Sequence, residues 1–268
     1  MINIDLKDEE KVDLRDYLKK HCKMITIKNN PTNLDELKER TSHIYLRRVK
    51  EDNESLTVTK NVHEVYYTFT PLQWAEYSRL WAEYEEANRI SQETGEVNEL
   101  NKNLLEGAIY RAYCSNEMLP NTIKLCNKLL EEDRKVIIIC CYDEELYALR
   151  DVYGESCVIY NGKLLPKQKE AAKNAFINDP TKRVFIGNLK ACGVGLTLIV
   201  SNAMIFNNMS FVPGDNRQAE DRIFRIGQQS NVDIYYQMFQ GTQYEHMWNT
   251  VLKKELSINQ VIKKESEK

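Results

Sequence analysis

Nowhere in the sequence do the roughly 18 consecutive apolar residues that span a bilayer occur, and the N-terminus lacks an apolar signal core. The expectation is a chain that meets no membrane and is not secreted. Charge of one sign is also missing: 37 Lys and Arg stand against 40 Asp and Glu, a net charge of -3. A uniformly basic nucleic-acid binder is excluded, so any such contact must come from a local patch. The seven cysteines include no CxxC pair, and the four histidines are dispersed away from acidic or cysteine clusters. That pattern argues against zinc and for buried free thiols in a reducing compartment, the cytoplasm or nucleus, a viral protein in its host cell included. No G-x-x-x-x-G-K-[S/T] phosphate loop occurs, no Rossmann fingerprint follows the first strand, and no internal repeat is visible.

What is present is a soluble composition with a real core, 42% hydrophobic and 29% charged over 268 residues. Residues 1–40 are charged and helical, with a short extended run at Met24–Ile27 and a short helix at Leu34–Arg40. Val62–Thr70 alternates as a strand does, with Val65, Tyr67 and Phe69 on one side. Thr70-Pro71 opens a long helix whose Leu72, Trp74, Ala75, Tyr77, Leu80, Trp81 and Tyr84 form a broad apolar packing face. Gln92–Glu99 is a polar connector, and Leu100–Met118 reads as another helix.

From Pro120 the pattern changes. Helices at Asn121–Glu132, Glu144–Val152, Pro166–Ile177 and Tyr244–Leu256 alternate with short apolar runs. Those runs are Lys135–Tyr142, Ser156–Tyr160, Arg183–Ile186, Ala203–Phe206 and Val232–Phe239. Strand–helix alternation at this spacing implies a mostly parallel sheet flanked by helices, an α/β domain. Asp143-Glu144-Glu145 reads as helix-start acids favoured by the macrodipole.

Two stretches carry candidate chemistry. In Asp215–Gln228, a helix places Gln218, Asp221, Arg222 and Arg225 at i, i+3, i+4 and i+7, one polar stripe with two guanidinium groups a turn apart. Ala219, Ile223 and Ile226 lie opposite, as anchors to a core. Paired arginines on one element suit a multiply charged oxygen ligand, but the spacing fits a solvated, salt-bridged face equally well. Gln218 also stands three residues after Asp215, the arrangement of a capping box. In Phe185–Leu198 a strand runs into a loop with Gly193 and Gly195, where backbone can approach a phosphate or serve only as a turn.

Gln218-Ala-Glu-Asp-Arg222-Ile-Phe-Arg225-Ile-Gly-Gln228 resembles motif VI of the Swi/Snf family of ATP-dependent DNA translocases, in helicase superfamily two. Asn188–Leu198 resembles that family's motif V, and Val136–Tyr142 the strand of motif IV. Leu46-Arg-Arg-Val-Lys50, with Leu56 and Lys60, is similar to the junction that leaves the first lobe, and Thr70–Tyr77 to the helix after it. The resemblance implies a RecA-like parallel sheet with an N-terminal helical linker or protrusion. It divides the chain into 1–45, the end of the first-lobe region and linker; 46–118, a helical linker or protrusion; 119–258, the C-terminal lobe; and 259–268, a tail.

The same resemblance implies a two-lobed motor that closes on ATP and Mg²⁺, both held mainly by an N-terminal lobe, and that tracks double-stranded DNA. Arg222 and Arg225 would be its arginine fingers, with Gln218 near the same phosphate and Asp221 orienting the arginines. Gly193, Gly195 and Thr197 would line the nucleotide side, and Asn188 and Lys190 would face the DNA backbone. The sequence departs from the family at Asn188, Lys169, Cys192, Asn208 and Phe211-Val212. A non-catalytic DNA- or protein-binding module on the same lobe fold is the alternative, and a small-molecule transferase on a doubly wound sheet a weaker one.

Overall fold

The uninterrupted apolar runs become strands buried on both faces, and the alternating one becomes an edge. In the computed structural model, the described residues are 57–94, 113–193 and 195–262. Two compact units divide the chain, residues 53–251, and residues 1–52 together with 252–268. All strands and site residues below belong to the first unit. The expected elements at Met24–Ile27 and Leu34–Arg40, the Leu46–Lys50 junction, most of Leu100–Met118 and the tail after 262 lie outside the described residues.

Six parallel strands form one sheet in the order β1-β6-β5-β2-β4-β3: β1 (Lys60–Tyr67), β2 (Val136–Cys140), β3 (Cys157–Tyr160), β4 (Val184–Asn188), β5 (Ala203–Phe206) and β6 (Val232–Phe239). The helices are α1 (Pro71–Thr94), α2 (Ser115–Glu131), α3 (Asp143–Tyr153), α4 (Pro166–Asn178), α5 (Leu189–Cys192), α6 (Pro213–Glu220) and α7 (Gln243–Ile262). Every residue of β2 is buried, as Val-Ile-Ile-Ile-Cys requires. Its core includes Val136, Ile138, Leu146, Leu149, Val184, Ile186 and Ile205. The α/β sheet expected from the alternation is present.

The strand at 60–67 was expected within the helical linker. It is instead an edge strand of the same sheet, in register with β6 from Lys60 opposite Val232 to Tyr67 opposite Phe239. Its period-2 pattern holds because one face packs and the other, carrying Val62 and Tyr66, is exposed. Beyond it, buried Phe69 lies 4.2 Å from the Phe239 ring and meets Trp74 and Tyr77 of α1. Of the apolar face expected on α1, Tyr77 and Tyr84 are buried whereas Leu72 is exposed.

Pro120 does not separate two helices, because α2 runs through it from Ser115. Pro120 is the sixth residue of that helix, past the first turn, so α2 forgoes one backbone bond there and packing carries the helix through. The acids Asp143, Glu144 and Glu145 do fill the first turn of α3.

At the carboxyl ends of β2 and β5, where successive connections leave in opposite directions, the sheet has its switch point. The chain's own side chains fill that crevice. Asn208 Oδ1 accepts from the Cys141 N–H at 2.6 Å, and its Nδ2 donates to Glu145 at 2.7 Å and Ser115 Oγ at 3.0 Å. Asn207 accepts from Thr122 at 2.7 Å, and Gln237 donates to the same hydroxyl at 2.7 Å. Burial pushes the Glu145 carboxyl up to about 7, although hydrogen bonds from Ser115 and the Tyr142 backbone pull the other way.

Candidate phosphate-facing site

Helix α6 is shorter than the arginine spacing implied. It ends at Glu220, and Asp221–Gln228 is a run of turns, so Arg222 and Arg225 are not on a helix face. The capping box at Asp215 is also not formed. The helix starts at Pro213 behind Val212, and Asp215 instead accepts from Ser210 Oγ at 2.9 Å. Proline pre-sets the first helical φ, so it moved the start two residues upstream. Ala219 and Ile223 are buried as expected, but Ile226 is 58% exposed and Phe224 takes the inner place. A turn points successive side chains differently from a helix.

The two glycine- and arginine-bearing stretches do meet, and one residue binds them. Arg222 donates Nε to the Gln218 carbonyl at 2.9 Å, Nη1 to the Leu196 carbonyl at 3.2 Å and Nη2 to the Gly193 carbonyl at 2.9 Å. Its own carbonyl accepts from the Leu198 N–H at 2.9 Å. The planar fork of a guanidinium reaches several carbonyls at once, which an ammonium does not. The charge of Arg222 is thus spent largely on backbone oxygens of the β4–β5 loop.

Arg225 differs. It is exposed, and its Nη1 donates to Thr197 Oγ1 at 3.1 Å. No carboxylate pairs with it among the described residues. Gly195 lies two residues before that threonine in the left-handed region, φ 68°, which favours glycine. Gln218 approaches from α6, its Oε1 being 3.2 Å from where a Cβ on Gly193 would stand. Gln218, Gly193, Thr197, Arg222 and Arg225 therefore share one place, and Asp221 stands half-buried in the same turn.

Asn188 and Lys190 part company. Asn188 caps α5 by accepting from the Lys190 N–H at 3.2 Å and donates to the Cys141 carbonyl at 3.0 Å. Its amide therefore secures the ends of β4 and β2 to each other. Lys190 is exposed. Cys192 is buried with its Sγ over Gly187, and burial pushes its thiol up to about 12, against the pull of Arg222.

Three structural residues escaped the sequence reading. Gln228 is buried and bonds the Ser201 and Ile223 carbonyls at 2.8 and 3.2 Å. Glu220 and Lys60 pair at 2.8 Å between α6 and β1. Glu220 lay next to the polar stripe, but nothing local distinguishes a buried carboxylate from a solvated one.

The helicase conserved C-terminal domain family matches residues 120–227. The DNA annealing helicase and endonuclease ZRANB3 of Mus musculus is 27% identical over 221 residues, 81% of this chain and 20% of that protein. This chain thus spans about a fifth of the length of the curated relatives it matches. The C-terminal part of the Fun30 ATPase domain superposes with a TM-score of 0.59 at 16% identity, covering 76% of this chain and 97% of that one. The Sulfolobus solfataricus SWI2/SNF2 ATPase core in complex with dsDNA gives 0.54 at 21% identity, covering 85% of this chain and 56% of that one. Motif order, an all-parallel six-stranded sheet and these matches agree: the chain has the RecA-like fold of a helicase C-terminal lobe, and over residues 120–227 it is similar to the helicase conserved C-terminal domain family.

Proposed function

We propose that this chain is the second lobe of an ATP-dependent double-stranded DNA translocase, completing an ATP site whose Mg²⁺ and phosphate cradle belong to an N-terminal lobe. That lobe lies on the same protein or a separate chain. The observation that carries the reading is the division of labour between the arginines. Arg222 fastens the 193–198 loop to the 218–222 segment, and Arg225 stands exposed beside the Thr197 hydroxyl with no carboxylate paired to it among the described residues. A guanidinium so held has free donors for anionic oxygen, and a preorganised donor costs no reorganisation when charge develops.

The residues present fit a triphosphate only in part. Arg225, with Gln218 and the Gly193–Thr197 backbone, offers donors for the outer phosphate, and no metal-ligating cluster of His, Cys, Asp or Glu occurs among the described residues. ATP supplies the phosphoryl group whose transfer drives the motor. This chain's share is charge stabilisation at Arg225 and the loop geometry set by Arg222. Arginine fingers of this kind are worth roughly 10³–10⁵ in rate. Lys190, exposed at the β4–β5 loop, is the candidate for the DNA backbone, and Asn188 supports the loop from beneath.

In the two-lobed protein, Arg225→Ala is expected to abolish DNA-stimulated ATP turnover while nucleotide binding, read by a fluorescent ATP analogue, stays within about threefold. Retained turnover in Arg225→Ala would reassign the turn to structure. The chain without the first lobe is expected to bind ATP poorly and hydrolyse almost none, so DNA-stimulated hydrolysis by the chain alone would defeat the reading.

A further inference from the structure

We propose that Glu220 and Lys60 form a positioning pair that fixes the Arg222–Arg225 turn against the edge of the sheet. The proposal rests on the arginine reading above and adds residues to it. Glu220 acts at both of its ends. Its carbonyl accepts the N–H groups of Ile223 at 3.1 Å and Phe224 at 3.0 Å, so it begins the turn that carries the two arginines. Its carboxylate reaches inward, accepting from Tyr236 Oη of β6 at 2.7 Å and from Lys60 Nζ of β1 at 2.8 Å. The Lys60 ammonium also stands 5.7 Å from the centre of the Phe224 ring, so it touches the turn from a second side.

The burial of the pair is what argues for position over stability. The Glu220 side chain is 9% exposed and that of Lys60 23%. Desolvating a carboxylate is expensive, and its attraction to a partner seldom exceeds that cost, so an apolar residue would hold α6 to the sheet about as well. An apolar contact slides, however, whereas a carboxylate with two defined donors has one seat. That seat lies two residues from Arg222 in the chain. Lys60 begins β1 and is itself one of the residues that resemble the junction from the first lobe. The junction strand and the arginine turn are therefore joined by one side-chain pair, and the turn keeps its place relative to that strand.

Glu220→Gln keeps an oxygen for Tyr236 and removes the ion pair, Lys60→Met keeps the stem and removes the charge, and Glu220→Lys with Lys60→Glu reverses the pair. In this chain alone, hydrogen exchange at residues 221–226 is expected to quicken about tenfold in each single variant. Exchange in the β2 amides is expected to stay unchanged. In the two-lobed protein, kcat for ATP is expected to fall between about ten- and a hundredfold with KM within about twofold, the cost of a misplaced but intact group. The reversed pair is expected to recover most of both losses. Ile137→Val, a core change on β2, serves as a control matched in melting temperature and is expected to keep its kcat.

Unchanged exchange at 221–226, unchanged kcat in the single variants, no recovery by the reversed pair, or an equal kcat loss in Ile137→Val would each overturn the proposal. Failure of the arginine reading shows itself separately, as turnover that survives Arg225→Ala, and the exchange result stands whatever that outcome.

Discussion

Replacing Glu145 by glutamine tests the buried polar cluster at the switch point through its pH dependence. Glu145 is 1% exposed, its Oε1 accepts from Asn208, and its Oε2 is buried with no hydrogen-bond partner among the described residues at ordinary bonding distance. Desolvation therefore raises its carboxyl from 4.5 to about 7. Between those values the folded chain keeps a proton that the unfolded chain has released. The stabilisation is complete below about 4.5, declines as pH rises, and is gone above about 7. The difference between the two values amounts to roughly 3 kcal/mol, or about 6–12 °C in melting temperature for a domain of this size. Melting the wild type and Glu145→Gln at pH 5 and pH 8 isolates the term, because every other titrating group is common to both. The two proteins are expected to melt within about 2 °C of each other at pH 5, with the glutamine variant higher at pH 8 by most of that span. Parallel pH profiles would refute the reasoning, and would mean that water or rearrangement solvates the carboxylate at no cost to the fold.

Two further outcomes follow from contacts near the arginines. A Cβ on Gly187 would stand 2.3 Å from Cys192 Sγ and 3.1 Å from the Phe185 ring. Gly187→Ala is therefore expected to lower the urea midpoint by the equivalent of about 1–3 kcal/mol, and adding Cys192→Ala to restore most of it; a neutral single variant would disprove the clash. Arg222→Ala removes three bonds to carbonyls and is expected to destabilise the chain by about 2–3 kcal/mol, whereas Arg225→Ala, exposed with a single bond, changes stability by less than about 0.5. Equal melting shifts in the two variants would erase the distinction between the bonded Arg222 and the exposed Arg225.

The sheet was legible in the sequence because its signals are local. Val136–Cys140 is apolar enough to need burial on both faces, Val232–Phe239 is buried at six of its eight positions, and the helices between the strands set the parallel order. The candidate site was legible as a set of residues, since Gly193, Thr197, Gln218, Arg222 and Arg225 do converge. Its geometry was not. A 3.6-residue period reads Gln218 to Arg225 as one helical face, but α6 stops at Glu220, and the side chains of the turn are aimed by bonds to a loop some twenty-five residues earlier. Long-range pairing hid the place of β1 in the sheet, because an alternating strand separated from its partner by about 170 residues looks like part of whatever surrounds it. The partner of Asn188 was hidden for the same reason, its amide donating to the Cys141 carbonyl just after β2.

The convergence itself has a structural logic. The segment carrying Gly193–Leu198 connects β4 to β5, and the segment carrying Gln218–Gln228 connects β5 to β6, so β5 is the strand both must serve. Each is fastened to the other by backbone and side chain: Leu198 N–H to the Arg222 carbonyl, the Arg222 fork to Gly193 and Leu196, and Gln228 to the Ser201 carbonyl just before β5. Neither loop then has an independent shape, and a change in one is transmitted to the other over bonded distances. Gly227, at the last of these crossings, adopts φ 99°, a left-handed conformation that favours glycine, and a Cβ there would press on Ile199 Cδ1 at 3.2 Å. Through Glu220 the same assembly reaches Tyr236 of β6 and Lys60 of β1, so two of its anchors lie on strands while Arg225 is exposed. On the proposed function, a surface arginine supported in this way would be aimed before the nucleotide arrives, the condition under which its charge would assist a reaction instead of merely binding.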